Sequence, residues 1–388
     1  MPLLAGGRIL PKNDFSVTII AGDRTYSFSY PEIDLCPSGP YLKDADMIVE
    51  RIRADTVVHP TDAEIYFHPH SEKRFTVTAE KKGKTIDCEK LKNDIESALA
   101  QGEKEVRARF VVLEPAVTQK ELSACTYKRA GFSTSYESST EERKSNILLA
   151  ARALNGCVVD DGEVFSFNET VGERTEERGY RQAKIISEGR FTDGVGGGVC
   201  QLSTTLYNCA LLSGLTICER HPHTLAVQYV ERSFDAMVSS FADLKFVNDT
   251  GGPLFIETGA DGKTVTVNIY GRRREYTVRR VSETVSEEDV GYDLTGDDGS
   301  LEDGESERII LPQHKKIRSK CYLYYYSGEK LIKKILLHTD DYRGAKGVKM
   351  VRDLSETSIQ NNEKPPESHK NGGFLFLNLS RVLELAVI

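Results

Sequence analysis

Cys200 closes a glycine cluster in "TDGVGGGVCQLSTTLYN" (192–208), and His221, His223 and Asp235 follow it along the chain. These are the residue types of thiol acyl transfer: a sulfur nucleophile, an imidazole to take and return its proton, and a carboxylate to orient the ring. Leu202, Leu206, Cys209 and Leu212 recur at helical intervals and Gly214 closes the run, so Cys200 falls at the start of a helix. Backbone N–H groups there favour an adjacent negative charge and lower a thiol's pKa. Gly196, Gly197 and Gly198 would let a substrate approach the backbone without meeting a Cβ, and their N–H groups could hold an oxyanion or a carboxylate. Gln201, Ser203, Thr204 and Asn168 complete the candidate ligand-binding set, although hydroxyls in a first helical turn and an asparagine in a turn also serve the local backbone.

His221 and His223 stand at i, i+2, which puts both rings on one face of an extended stretch, so either could be the base and Asp235 its orienter. A cysteine among glycines is equally a small buried residue serving tight packing. A zinc site from Cys200, His221 and His223 has the ligand number without the motif spacing, so no metal and no cofactor is expected. The cluster is not a phosphate loop, because no lysine follows it. Glu173, Glu176 and Glu177 with Arg174 and Arg178 read as a solvated face, a glycosidase-like carboxylate pair among them remaining open.

The elements that must position these groups alternate strand and helix. "FSVTII" and "RTYSFSY" read as a hairpin, and "RFTVTAEKKGKTID" as strand, glycine turn, strand. "CEKLKNDIESALAQG" reads as a helix with Leu91, Ile95 and Leu99 on one face and Gly102 at its stop. A second helix follows Ser139, which has capping-box spacing to Glu142, and it ends at Gly156. "TLAVQYV" (224–230) and the two runs within 244–271 read as strands, the last two joined by a Gly-Ala-Asp-Gly turn. The spacing predicts a multi-domain α+β chain: an α+β domain over 1–120, a second unit over 131–275 ending in antiparallel strands, an acidic linker over 281–310, a small β-element over 311–352 and a disordered tail over 353–388.

With 388 residues, 39% apolar and 28% charged, the chain has the composition of globular domains. Its net charge of −8 argues against nucleic acid as a partner, and Arg272, Arg273, Arg274, Arg279 and Arg280 read as a solvated strand end. Eight scattered cysteines form no CxxC pair and read mostly as buried apolar residues. His59, His68, His70, His314 and His338 stand apart from the cluster and read as surface residues. No stretch has the apolar length of a membrane helix, so a membrane anchor is expected only if the chain is N-terminally truncated.

"STSYESSTEERKSNILLAARALNGCVVDDGEVFSFNETVGERTEERGYRQAKIISEGR", "GGGVCQLSTTLYNCALLSGL" and "ERHPHTLAVQYV" together resemble the VanW family over about 133–271. "FTVTAEKKGKTIDCEKLKNDIESALAQG" is similar to the peptidoglycan-binding domain that often precedes VanW domains, and "YYYSGEKLIKKILLHTDDYRG" to the small β-domain that often follows them. The resemblance implies an antiparallel β-rich VanW-like domain in a Gram-positive envelope or extracellular protein. Its expected partner is peptidoglycan or another cell-wall polymer, and a link to vancomycin resistance is implied. The family's glycine-cysteine and His-Pro-His stretches map onto Gly196–Gln201 and His221–His223. Two functions stay open: binding or remodelling of peptidoglycan, or a Cys200-dependent peptidase, amidase or transpeptidase acting on wall peptides.

Overall fold

The computed structural model describes residues 3–352 apart from 6–7, 11–15, 37–38 and 188–189; the expected tail over 353–388 lies outside the described residues. Strands and helices share the chain in several small sheets, an α+β architecture with two compact units. One comprises Met1–Tyr66 with Phe75–Ser123, the other Phe67–Arg74 with Ala124–Ile388.

In the first unit the hairpin Ser16–Ala21/Arg24–Ser29 buries Val17, Ile19 and Ala21, and Glu105–Arg107 adds a parallel strand. Helix Cys88–Gln101 turns Leu91, Ile95 and Leu99 into the same core. The Asp87 side chain caps its start by accepting from Lys90 N, and Gly102 at φ 76° ends it. The expected strand pair within Arg74–Asp87 does not form a hairpin: Gly83–Ile86 pairs instead with Phe110–Leu113. Gly83 lies against the Val58 and Pro60 backbone, where a Cβ would collide, so it serves close approach rather than a turn.

The second unit is organised around helix Val199–Leu212, in which every residue from Gln201 to Leu211 is buried. It packs on the antiparallel sheet ordered Tyr127–Ser135, Thr264–Gly271, Leu254–Ala260, Val158–Val159, and on helix Glu141–Leu154. Leu202, Leu206 and Cys209 meet Val265, Val267 and Ile269 in one core. A helix closed on all sides must satisfy its polar side chains internally, and this one does: Thr205 Oγ1 lies 2.8 Å from Thr134 Oγ1, and Asn208 Nδ2 donates to Phe234 O at 2.8 Å. Helix Glu141–Leu154 is capped by Thr140, whose side chain accepts from Arg143 N, one residue beyond the expected Ser139. Its buried Asn146 donates to Arg181 O and Gly197 O and accepts from Arg181 N, fixing the glycine segment.

Two expectations for this unit are corrected. Thr224–Val230 is not a strand; its carbonyls are taken singly, Thr224 O by Arg343 N and Val227 O by Arg232. The acidic stretch 281–310 is not a linker. Thr277–Glu288 is a long strand paired with Lys316–Ser327, which pairs in turn with Lys330–Tyr342, while Glu307–Leu311 and Tyr292–Gly296 flank Gly347–Val351. The acids face bases: Glu283 is in register with Lys320, and Lys315 and Lys316 reach Glu287 at 2.9 Å and Glu288 at 3.3 Å. Charge that suggests solvation in one segment is thus balanced by its neighbour. No described helix is long and apolar enough to cross a membrane.

Candidate active site

Gly198, at φ +107°, turns the chain into the central helix, and Cys200 sits in its first turn with Sγ 3.4 Å from Val238 O. On one side the buried His223 acts electrostatically on the Cys200 thiol. On the other, His223 Nδ1 lies 2.7 Å from Asp235 Oδ2, which also accepts from His223 N at 2.7 Å. Burial pushes the Cys200 thiol up, but the neighbouring His223 outweighs it and the thiol titrates below its ordinary value. Burial pulls His223 down, yet its bond to Asp235 and the neighbouring Cys200 push it up to about 9. The two shifts together favour a thiolate–imidazolium pair.

Asp235 is 1% exposed and its carboxylate is saturated. Besides His223, it accepts from Arg220 Nη2 at 3.0 Å and from the Tyr342 hydroxyl at 2.5 Å. Burial works against its ionisation, but His223 and Arg220 hold it well below the usual carboxylate range. Arg220 also donates to Asp235 O at 2.6 Å and to Asp340 Oδ1 at 2.8 Å, and lies over the Tyr207 ring. Ser233 N in turn donates to the Tyr342 hydroxyl at 2.7 Å. Strand Lys330–Tyr342 therefore supplies both Asp340 and Tyr342 to the back of the site.

The central helix holds Asp235 from a third direction. Ser203 Oγ donates to Ala236 O at 2.6 Å, and Thr204 Oγ1 accepts from Ala236 N at 3.0 Å. With Asn208 on Phe234 O, the helix grips the residues on both sides of the aspartate. This corrects the expected ligand-binding role of Ser203 and Thr204: both are fully buried and bonded to the fold. Gln201 is buried as well, donating to Ser135 O at 2.7 Å and accepting from Arg143. Asn168 spends its amide on Ser239 O, Ala242 O and Arg174.

The glycines are likewise a packing device. A Cβ at Gly197 would stand 2.7 Å from Lys184 O, one at Gly198 3.0 Å from Ile147 Cγ1 and Arg143 Cγ, and one at Gly196 2.9 Å from Arg174 Cβ. Gly198→Ala meets both a left-handed backbone and a crowded pocket, and should destabilise the protein by about 1–3 kcal/mol, read as a lowered urea midpoint. A midpoint equal to the parent's would contradict this account.

His221 does not join the cluster; its Nε2 lies 3.1 Å from Glu219 Oε1. The shared-face expectation fails because 221–223 is not a strand: His221 forms only an isolated bridge to Met237. Arg174 leaves the expected solvated face and turns inward onto Asn168 and the Phe167 ring, while Glu173, Glu176 and Glu177 remain exposed. Arg280 is not at a solvated strand end either; it stacks on Phe132 and Phe234, each at 4.5 Å, and bonds Asn208. His338, expected at the surface, contacts the Tyr207 hydroxyl at 3.0 Å and Cys321 Sγ at 3.4 Å. Burial pushes the Cys321 thiol up to about 12, which favours its protonated form. Cys88, Cys125, Cys157, Cys200, Cys209, Cys218 and Cys321 are free thiols, and of these Cys125, Cys209 and Cys321 are buried.

Residues 142–270 match the family model "VanW like protein", and residues 42–107 match "Putative peptidoglycan binding domain". The chain carries a VanW-like domain. It is similar to "Uncharacterized protein YoaR" of Bacillus subtilis, 37% identical over 172 residues, covering 44% of this chain and 57% of that protein. It is also similar to "Vancomycin B-type resistance protein VanW" of Enterococcus faecalis, 28% identical over 159 residues, covering 39% of this chain and 56% of that one. The chain thus spans just over half the length of these curated relatives. A solved structure described as "Crystal structure of HP0197-G5" aligns over 20% of this chain and 99% of its own, at 18% identity and a TM-score of 0.13. Cys200, His223 and Asp235 all lie inside the matched span of the VanW-like domain; Asp340 and Tyr342 lie beyond it.

Proposed function

We propose that the protein is associated with the cell wall, at the envelope or outside the cell, and that its VanW-like domain transfers acyl groups of wall peptides through Cys200. The peptidoglycan-binding match supports a wall polymer as partner. The observation that carries the chemistry is the single buried imidazole that hydrogen-bonds Asp235 and acts electrostatically on the Cys200 thiol. In this reading the Cys200 sulfur attacks an amide carbonyl, and His223 gives its proton to the departing amine, leaving a thioester on the sulfur. Water or a second amine then attacks the thioester, His223 takes the incoming proton, and the thiolate departs. Asp235 stays ionised throughout and fixes the ring. The name of the Enterococcus faecalis relative supports extending the proposal to wall remodelling in glycopeptide resistance.

Incubation with purified peptidoglycan fragments should give cleaved or exchanged peptides and an acyl group on Cys200, both read by mass spectrometry. The absence of any new species would end the acyl-transfer proposal. The rate should rise with pH through the lowered thiol pKa and fall as His223 loses its proton near 9, so kcat/KM is bell-shaped. An alkaline limb near the ordinary histidine value of about 6.5 would contradict the assigned pair.

A further inference from the structure

Two half-buried arginines bracket the N-terminus of the central helix, and neither is paired with a carboxylate among the described residues. Arg143 and Arg174 are each held by an amide: Arg143 Nη2 donates to Gln201 Oε1 at 3.1 Å, and Arg174 Nη2 to Asn168 Oδ1 at 2.6 Å. Gly198 and Gly196 bring them in, since a Cβ at those positions would meet the Arg143 and Arg174 stems at 3.0 and 2.9 Å. Arg174 acts electrostatically on the Cys200 thiol. Arg143 acts electrostatically on the Tyr229 phenol, as does Cys200. Asp243 adds a field at Arg174, but its oxygens accept from Ser166 Oγ, Asn168 N and Leu244 N. A partly desolvated guanidinium with an orienting amide and no acid partner retains donors for a planar anion.

We propose that Arg174, with Arg143 at the neighbouring Gly198, is the anchor for a substrate carboxylate, so that the acyl donor at Cys200 is a peptide with a free carboxylate close to the bond that breaks. This rests on the thiol reading above and names its substrate class. The anchor fixes the donor by charge-assisted hydrogen bonds while the scissile carbonyl meets the sulfur. The Asn168 and Gln201 amides set the planes of the two guanidinium groups, so both act as positioning residues.

Two thiol reagents of similar size, iodoacetate and iodoacetamide, test this on the full chain, with alkylation followed on the Cys200 peptide by mass spectrometry. The rate ratio of the anionic to the neutral reagent cancels changes in thiol acidity. Relative to the same ratio at the exposed Cys218, it should be raised about tenfold or more. Arg174→Gln should bring it down to the Cys218 value, Arg143→Gln should lower it partly, and Arg174→Lys should retain part of the preference. A variant that fails to fold is recognised by loss of the protection that buried Cys209 shows toward both reagents. In that event the competing effect of acetate on iodoacetate alkylation of the parent decides, with slowing supporting the anchor and no slowing overturning it. Alkylation of Cys200 without a preference for iodoacetate, or with one that survives Arg174→Gln, overturns the anchor and leaves the thiol reading in place. No reaction of Cys200 with either reagent overturns both.

Discussion

Cys200→Ala is expected to remove thiol-dependent product formation from wall peptides, by at least about 10³-fold, while retention on insoluble peptidoglycan stays at the level of the parent protein. The two readouts separate because the residues matched by the peptidoglycan-binding family end at 107, far from Cys200 in the chain. Cys200→Ser should fall almost as far. Its hydroxyl titrates far above a thiol, so the variant holds no oxygen anion where the parent holds a thiolate. Product mass spectra and a co-sedimentation assay on purified walls check both statements. Turnover surviving in Cys200→Ala would exclude the sulfur as nucleophile, and joint loss of turnover and retention would point to a folding defect instead.

Asp235→Ala is expected to be the most destabilising single change at the site, at about 3–5 kcal/mol. It leaves His223 buried without its carboxylate and Arg220 with Asp340 in place of two acids, and strips the Tyr342 hydroxyl of its acceptor. The pH dependence should change with it. Asp235 has a lowered pKa in the folded protein, so its contribution is present above its unfolded value and is lost as pH falls through the folded one. His223 is raised to about 9, so its contribution is full below about 6.5 and lost as pH rises through about 9. Urea unfolding of the parent should therefore weaken at both ends of the pH scale, and the Asp235→Ala curve should be flatter. Equal loss at every pH would show that the aspartate acts by packing alone.

Periodicity made the regular elements legible. The Leu91, Ile95, Leu99 spacing with Gly102, and the Leu202, Leu206, Cys209 run with Gly214, reflect helix geometry that any burial pattern must obey. Residue type picked out Cys200, His221, His223 and Asp235; the structure bonds His223 to Asp235 and turns His221 to Glu219. Residue type could not choose between His221 and His223, because that choice depends on backbone conformation at a proline and on which acid folds back. Nor could it separate glycines that open a cleft from glycines that admit arginine stems, since both need the same missing Cβ. The acidic stretch was misleading because its counter-charges come from a later strand. Arg220, Asp340 and Tyr342 carried no local signal at all; each matters only through a contact distant in sequence.

The reach of strand Lys330–Tyr342 into the site sets where the protein can be cut. A fragment ending at residue 270, where the family match stops, would keep Arg220 and Asp235 but discard Asp340 and Tyr342. Its buried arginine would hold one carboxylate in place of two, and its aspartate would lose a donor. The C-terminal β-strands are therefore not an exchangeable appendage: a chimera that borrows them from another protein inherits a working site only if it also brings an acid and a phenol at the positions of Asp340 and Tyr342.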